Sequence, residues 1–276
     1  MNPAPLQQSI QYATALSDMG ATVNWCSDVL TIRRRLPGLG HVTYVPRGNK
    51  CDLTGVAIVN APNPSCDHDH HAAGHIPLMT QQTLAVLDLR PDDPARMAAQ
   101  HGKWRNRLRR GQKAALTVSF GRFHPARHSW LLVHETLQRS TQRYNALPHS
   151  FVSAYPAKDT LLVQALHQRQ PVAAMLFLLH APAATYHIGW VNAEGRRLNA
   201  HPRILWKAGQ ILRARGYTQI DLGALDTQNA PGLARFKLGS GAKPHQLGHT
   251  WLHLPAVSPL LRTFRRRGGF PSGLLS

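Results

Sequence analysis

The feature that most constrains this chain is a change of hydrophobic period past its midpoint. Residues 161–166, 172–180 and 184–191 read as three successive strands rich in Val, Leu, Ala and aromatic side chains, joined by short turns at 169–171 and 181–183. Behind them, residues 200–215 (AHPRILWKAGQILRAR) switch to helical spacing. Ile204, Leu205, Ala208, Ile211 and Leu212 share one face there, Asn199 stands at the N-cap and Gly216 at the stop. A meander that feeds an amphipathic helix has to bury a sheet face beneath it, which points to an α+β domain. Segment 172–179 is the most apolar of the chain. It falls far short of the roughly 18 apolar residues that span a bilayer, so a buried strand is expected there.

Around this centre the pattern is more broken. Downstream come a strand at 218–222, a loop, a helix around 231–238 and a last strand at 250–254. The first third reads as short strands at 29–36, 41–45, 55–60 and 83–89, punctuated by Pro37, Gly38, Gly40, Pro46 and Gly48. One helix is expected from Pro91 onward, with Asp92 and Asp93 in its first turn. It runs into the basic segment 103–113 (KWRNRLRRGQK), where Trp104 and Leu108 share a buried face ringed by Lys103, Arg105, Arg107, Arg109, Arg110 and Lys113. A further helix is expected over 129–144, with Trp130, Val133, Leu137 and Thr141 at helical spacing, and a short one after Pro148.

Charge narrows the partners. With 32 Lys and Arg against 13 Asp and Glu the net charge is +19, which suits RNA, a CoA phosphate or an anionic membrane, and equally suits a merely solvated basic surface. Cys26, Cys51 and Cys66 are an odd set without CxxC spacing, so neither a disulfide framework nor a zinc knuckle is indicated. Residues 1–16 have neither a basic nor an apolar signal region, so a cytoplasmic protein is expected. Segment 60–75 (NAPNPSCDHDHHAAGH) offers Asp67, His68, His70 and His71 as candidate zinc or nickel ligands. No second His or Cys group at ligand spacing accompanies them, so a solvated loop is expected and no metal is assigned. The loop 194–201 (EGRRLNAH) is a candidate phosphate site: Arg196 and Arg197 supply cations, and Asn199 and Ala200 open a helix whose first N–H groups are unpaired.

Two runs carry a resemblance. Residues 185–223 (TYHIGWVNAEGRRLNAHPRILWKAGQILRARGYTQIDLG) and 231–244 (PGLARFKLGSGAKP) resemble the second half of the FemABX-like branch of the GNAT acyltransferase superfamily. That branch includes cell-wall peptide aminoacyltransferases that use aminoacyl-tRNA, and acyl-CoA-dependent relatives. Its four parts stand here in order. They are the aromatic strand ending in glycine from Tyr186 to Gly189, the helix at 200–216, Asp221 with Gly223, and Phe236 with Lys237. More loosely, 103–113 resembles the family's basic helix and 138–151 its acceptor-side helix.

The resemblance implies tandem GNAT-like lobes, each a mixed, mostly antiparallel sheet flanked by helices. The expected division is a degenerate lobe over 1–120, an acyltransferase lobe over 121–255 and a basic flexible tail over 256–276. It implies direct N-acyl transfer from acyl-CoA, a donor substrate and not a permanently bound cofactor, to an amine acceptor. An aminoacyl-tRNA donor serving a cell-wall or other amine is the alternative, and a non-catalytic binder of RNA or another anionic partner is a third reading on the same fold. The resemblance places Lys237 beside the developing oxyanion or the donor phosphate, with a surface ion pair as the plain alternative. Amine attack needs a proton acceptor, for which Asp221 and Asp226 are candidates unless they only cap the helix or loop N–H groups, and strand alternation lets one of Tyr186 and His187 line the pocket, Tyr186 first. Arg196, Arg197, Asn199, Ala200 and Phe236 fall to the donor, and Arg143 and Tyr144 to the acceptor. Two departures leave the donor open: the chain lacks the helical hairpin of some tRNA-using members, and 194–201 is not a clean Gln/Arg-x-x-Gly-x-Gly/Ala loop. No Ser-His-Asp or Cys-His arrangement is present, so transfer without a covalent intermediate is expected. Arg262, Arg265, Arg266 and Arg267 allow the tail a peripheral contact with an anionic membrane.

Overall fold

The computed structural model describes residues 3–37, 40–48, 53, 55–142 and 147–266. In chain order the elements are α1 (Ile10–Asp18), β1 (Thr22–Cys26), β2 (Val29–Leu36), β3 (Gly40–Val45), β4 (Val56–Asn60), α2 (Ser65–Ala72), β5 (Ile76–Met79), β6 (Thr83–Asp88), α3 (Asp93–Ala98), α4 (Gly102–Lys113) and β7 (Thr117–Gly121). They continue with α5 (Ser129–Gln142), α6 (His149–Ala154), β8 (Thr160–His167), β9 (Gln170–His180), β10 (Ala183–Val191), α7 (Ala193–Arg197), α8 (Ala200–Ala214), β11 (Gln219–Ala224), α9 (Pro231–Gly239), β12 (Lys243–Gln246), β13 (Thr250–His253) and α10 (Ser258–Arg266). The chain divides into two units: one holds the described residues of Met1–Leu6, Ile10–Ala15 and Leu84–His245, the other those of Gln7–Ser9, Leu16–Thr83 and Gln246–Ser276. Each is built on one mixed, mostly antiparallel sheet flanked by helices, as tandem GNAT-like lobes require. No helix among the described residues is long and apolar enough to cross a membrane.

In the seven-stranded unit the order is β12-β6-β11-β10-β9-β8-β7. The three strands read from the sequence form the antiparallel run β8-β9-β10. Strand β9 explains its own composition. Ala173, Met175, Phe177 and Leu179 point into one core, shared with Ile204, Leu205, Ala208 and Leu212 of α8, while Ala174 and Leu176 point into a second core with Leu131 of α5. A strand buried on both faces has no polar alternation to show. The α8 face is buried as its spacing predicts, each fully buried Leu or Ile contributing about 1.5–3 kcal/mol, and Gly216 at φ +83° ends the chain's helical run.

Several local expectations fail for identifiable reasons. The helix expected from Pro91 is two helices: Asp92 caps α3 by accepting from the Ala95 N–H at 2.9 Å, and His101 then caps α4. Trp104 and Leu108 are buried in α4 as expected. Helix α5 forms, but Val133 and Leu137 of the expected stripe are exposed, and its buried positions are Leu131 and Glu135. The Asp/His segment is not a loop but α2.

The six-stranded unit explains that last departure. Its order is β1-β2-β3-β4-β13-β5, with β3 and β4 parallel and the other pairs antiparallel. Asp67 of α2 is its polar hub. Oδ1 accepts from the His249 backbone N–H at 2.9 Å and the Trp251 indole at 2.8 Å, and Oδ2 from Gln81 and the His249 ring at 2.8 Å each. His70, one turn on, is buried with Nδ1 3.0 Å from that of His75 and its ring stacked on Trp251. Among the described residues no three His, Cys, Asp or Glu side chains gather to hold a metal ion.

Burial pushes the Asp67 carboxyl up, but hydrogen bonds from His249, Gln81 and Trp251 together hold it below the ordinary Asp value. A lowered folded value means that the stabilisation is present above the unfolded value and lost as pH falls through the folded one. Asp67→Ala is expected to cost about 2–4 kcal/mol in urea unfolding at pH 7, because it strands the buried Trp251 and His249 donors. That deficit shrinks as the wild type is titrated toward acid, and a pH-independent deficit would contradict this account.

Candidate active site

The site follows from how β10 and β11 part. They run parallel and pair at only three positions, Ala183↔Gln219, Ala184↔Ile220 and Thr185↔Asp221. Beyond these β10 stays in register with β9 as far as Val191, across a bulge between Tyr186 and Ile188, while β11 follows β6. The two strands therefore open a mouth. Tyr186 stands on its β10 side one residue past the last pair, and Asp221 is the last paired residue on the β11 side.

Asp221 and Lys237 both lie at the end of β11, near enough for the carboxylate to act on the lysine charge. Both are buried, at 7% and 5% exposure. The Asp221 carboxylate accepts from the Gly223 N–H at 2.8 Å, and Gly223 itself turns at φ +79°, a conformation that favours glycine. Lys237 reaches from α9 to donate to the Ala224 carbonyl at 2.7 Å. Burial pushes its ammonium down to about 8, with Asp221 pulling it back up. The Asp-x-Gly turn and the lysine of the Phe-Lys pair thus form one electrostatic unit at the end of β11. Asp226 is elsewhere in role: it caps its own loop through the Gln228 and Asn229 N–H groups.

Tyr186 is held by packing. Its ring lies against Phe177, with ring centroids 5.8 Å apart, on the α8 side of the sheet. Its hydroxyl sits so close over the Gly189 α-carbon that any side chain at Gly189 would collide with it. This is the physical meaning of an aromatic strand that ends in glycine. Phe236 lies between Trp104, at 6.0 Å, and His201, at 5.9 Å.

The donor-side expectations meet a different backbone. The first half of the expected loop 194–201 is the short helix α7, capped by Asn192, whose Oδ1 accepts from Gly195 N at 2.8 Å. Arg197 is exposed and tied to Glu194 by two bonds of 2.8 and 2.6 Å, and Arg196 is exposed. Asn199 occupies the N-cap of α8 in a left-handed conformation at φ +54° without a side-chain cap bond, and Ala200 is fully buried in the core. Arg143 and Tyr144 lie outside the described residues.

Sequence reasoning passed over a polar group on the other face of β10. Tyr186 and His187 do face opposite ways, and the bulge turns His187 to the α5 side with Ile188. There it feels Glu135, His149 and Arg139, and burial pushes its imidazole down to about 4, leaving it neutral at pH 7. Glu135, 4% exposed, accepts from His149 Nε2 at 2.5 Å and from Arg139 at 3.4 Å. Beside it Trp190 stacks on His134 at 4.7 Å and meets Trp130 edge-on at 5.2 Å. A glutamate inside an otherwise apolar helix stripe was the available signal.

No protein-family model matches the chain, and no curated protein is similar to it in sequence. Solved structures are similar in fold. FemX superposes with a TM-score of 0.76 at 11% identity, covering 94% of each chain. The C-terminal domain of a putative lysylphosphatidylglycerol synthetase from Agrobacterium fabrum gives 0.61 at 14% identity, covering 96% of this chain and 95% of that one. L-PGS from Bacillus licheniformis gives 0.54 at 12% identity, covering 96% of this chain and 98% of that one. The chain shares the fold of FemX over nearly its whole length.

Gly189→Ala is expected to push the Tyr186 phenol out of its seat and cost about 1–3 kcal/mol in chemical denaturation. In a Tyr186→Ala background the same change should cost at least about 1 kcal/mol less, so a double-mutant cycle with no coupling would show that the two residues do not share this contact.

Proposed function

We propose that the seven-stranded unit is an N-acyltransferase that passes an acyl group from acyl-CoA directly to an amine at the mouth between β10 and β11. The observation that carries this reading is the burial of both Lys237 and Asp221 at the end of β11, where that strand parts from β10. The parting of β10 from β11 beyond Thr185 suits an extended donor arm with amide groups, which pairs with backbone as an added strand would.

The chemistry then runs as follows. The neutral amine attacks the thioester carbonyl, a C–N bond forms, and the carbonyl oxygen takes up negative charge. The Lys237 ammonium, desolvated and so electrostatically strong, stabilises that oxyanion. Asp221 accepts the proton that the attacking nitrogen loses, directly or through water. Collapse of the intermediate breaks the C–S bond, and the thiolate leaves with a proton. Tyr186 supplies a hydroxyl on the β10 side, and Phe236 and the α7–α8 segment with Arg196, Arg197, Asn199 and Ala200 border the donor. Arg143 and Tyr144 are assigned to the acceptor side.

One observation favours a second donor. Lys103, Arg107, Arg109, Arg110 and Lys113 are exposed on α4, and the net charge is +19, which fits an aminoacyl-tRNA better than a small thioester requires. The two donors are separable by salt: charged tRNA binding weakens steeply with ionic strength, whereas acyl-CoA binding changes little.

Lys237→Met is expected to lower kcat about 10²–10³-fold while donor affinity changes less than about threefold, the signature of a group that acts on the transition state. In the wild type, kcat/KM for the transfer falls as pH rises through about 8, where the ammonium is lost, and Lys237→Arg moves that limb upward. An unchanged rate in Lys237→Met would mean that the lysine only staples α9 to β11. Failure to bind acyl-CoA or charged tRNA at low salt would end the acyltransferase reading.

A further inference from the structure

At the far edge of the seven-stranded sheet β7 is the outermost strand, and β8 and β9 separate it from β10 and the mouth. A pocket of about 230 Å³ opens there between Ser119 and Gln164, a directly paired position on β7 and β8, and the loop 122–128 that leads into α5. Its lining includes Arg122, His124, Arg127 and His128, and none of its lining residues is an Asp or Glu. Among the described residues neither Arg122 nor Arg127 pairs with a carboxylate. The pocket therefore gathers cations and donors and leaves their charge unanswered.

The loop that carries these residues is fixed to the sheet. The Phe123 N–H donates to Thr160 Oγ1 at 2.8 Å, and the Phe123 ring is fully buried. His128 stacks on that ring with centroids 5.6 Å apart, and its Nδ1 accepts from the His124 N–H at 2.9 Å. An acceptor at Nδ1 places the proton of the neutral ring on Nε2, so Nε2 can only donate. The His124 ring lies 6.1 Å from that of His128. Burial, and then the fields of His124 and Arg127, push the His128 imidazole below its ordinary value. Repulsion of this kind is relieved by an anion placed among the cations.

We propose that this pocket binds a phosphomonoester, its dianion held by Arg122, Arg127, His124 and His128 and its organic stem resting against Phe120. Charge sets the class. Two permanent cations and two imidazoles favour a dianion with three terminal oxygens over the single charge and two oxygens of a carboxylate. Ser119 and Gln164 add a hydroxyl and an amide that can donate to the same oxygens. Size limits the stem: a cavity near 150 Å³ accommodates benzene, so this one takes roughly nine to eleven non-hydrogen atoms, a phosphate and a short organic group. Phe120 is exposed and gives that group an apolar wall. A nucleic-acid strand carries one charge per phosphate and is held by a groove that follows its backbone, which a single pocket does not supply. The site uses none of the residues assigned to acyl transfer.

The test uses the full chain at low salt with phenyl phosphate, phenyl sulfate and a short oligouridylate as probes. By heat titration and ligand-observed NMR, phenyl phosphate binds saturably, and phenyl sulfate, of the same shape with one charge, binds at least about fivefold more weakly. The imidazole signals of His124 and His128 shift along the same saturation curve. Arg122→Gln combined with Arg127→Gln lowers phenyl phosphate affinity at least about tenfold with an unchanged urea midpoint, because both side chains are exposed. Arg213→Gln combined with Arg215→Gln removes the same charge from exposed positions at the end of α8 and changes affinity less than about twofold. Lys237→Met binds phenyl phosphate as the wild type does, so loss of transfer and loss of this site are told apart. Equal losses in the two double variants overturn the proposal, since net charge alone then attracts the anion. Weaker binding in Lys237→Met overturns it by placing the phosphate at the mouth, and phenyl sulfate binding as tightly as phenyl phosphate removes the dianion. Absence of saturable phenyl phosphate binding up to about 20 mM, above the range expected for a ligand of this size, overturns it too. Oligouridylate that displaces phenyl phosphate and loses affinity in the Arg122 and Arg127 variant assigns the pocket to a nucleic-acid strand instead.

Discussion

The seven-stranded unit depends on β9 being buried on both faces. A strand in that position cannot be left under one helix: Met175 and Phe177 demand cover from α8, and Ala174 and Leu176 demand it from α5. Backbone pairing follows the same spine. β10 stays with β9 as far as Val191, while β11 stays with β6 to Ala224 across an irregularity after Asp221, and the edge that β10 shares with β11 is paired only to Thr185. The mouth at Thr185 and Asp221 is thus a consequence of two strands each held by a different neighbour.

What stands in that mouth is costly to keep there. Lys237 loses hydration on burial, and among the described residues the Ala224 carbonyl and the field of Asp221 offset that loss in part, so its ammonium is pushed down to about 8. The same bond fastens α9 to the turn after β11. In the proposed reaction the same side chain is both a structural staple and the cation beside the reacting oxygen, and on β10 Tyr186 is seated over Gly189.

The two units treat polar burial in opposite ways. Asp67 in the six-stranded unit has both oxygens occupied, and its four bonds fix α2 to β13. In the seven-stranded unit the Arg96 guanidinium bonds Asp93, yet one atom each of Arg96, Gln100 and Trp104 is buried without a partner among the described residues.

The sequence by itself determined the spine and the order of the motifs. Uniform apolarity from Val172 to Leu179, the helical spacing after Asn199 and the Asp-x-Gly and Phe-Lys pairs are local properties, and β9, α8, β11 and α9 formed where those properties placed them. Local properties could not assign partners. Asp67 reads as one more polar residue in a His-rich stretch, because its four donors lie at Gln81, His249 and Trp251, far along the chain. Glu135 and His187 come together only because a bulge in β10 turns the histidine toward α5. The first half of segment 194–201 became helix through Asn192, a cap just outside the residues that suggested a loop. Tertiary structure decided the mouth, the buried charges and the pocket beside β7, since each depends on which surfaces meet, and sequence periodicity records only that a surface must be buried.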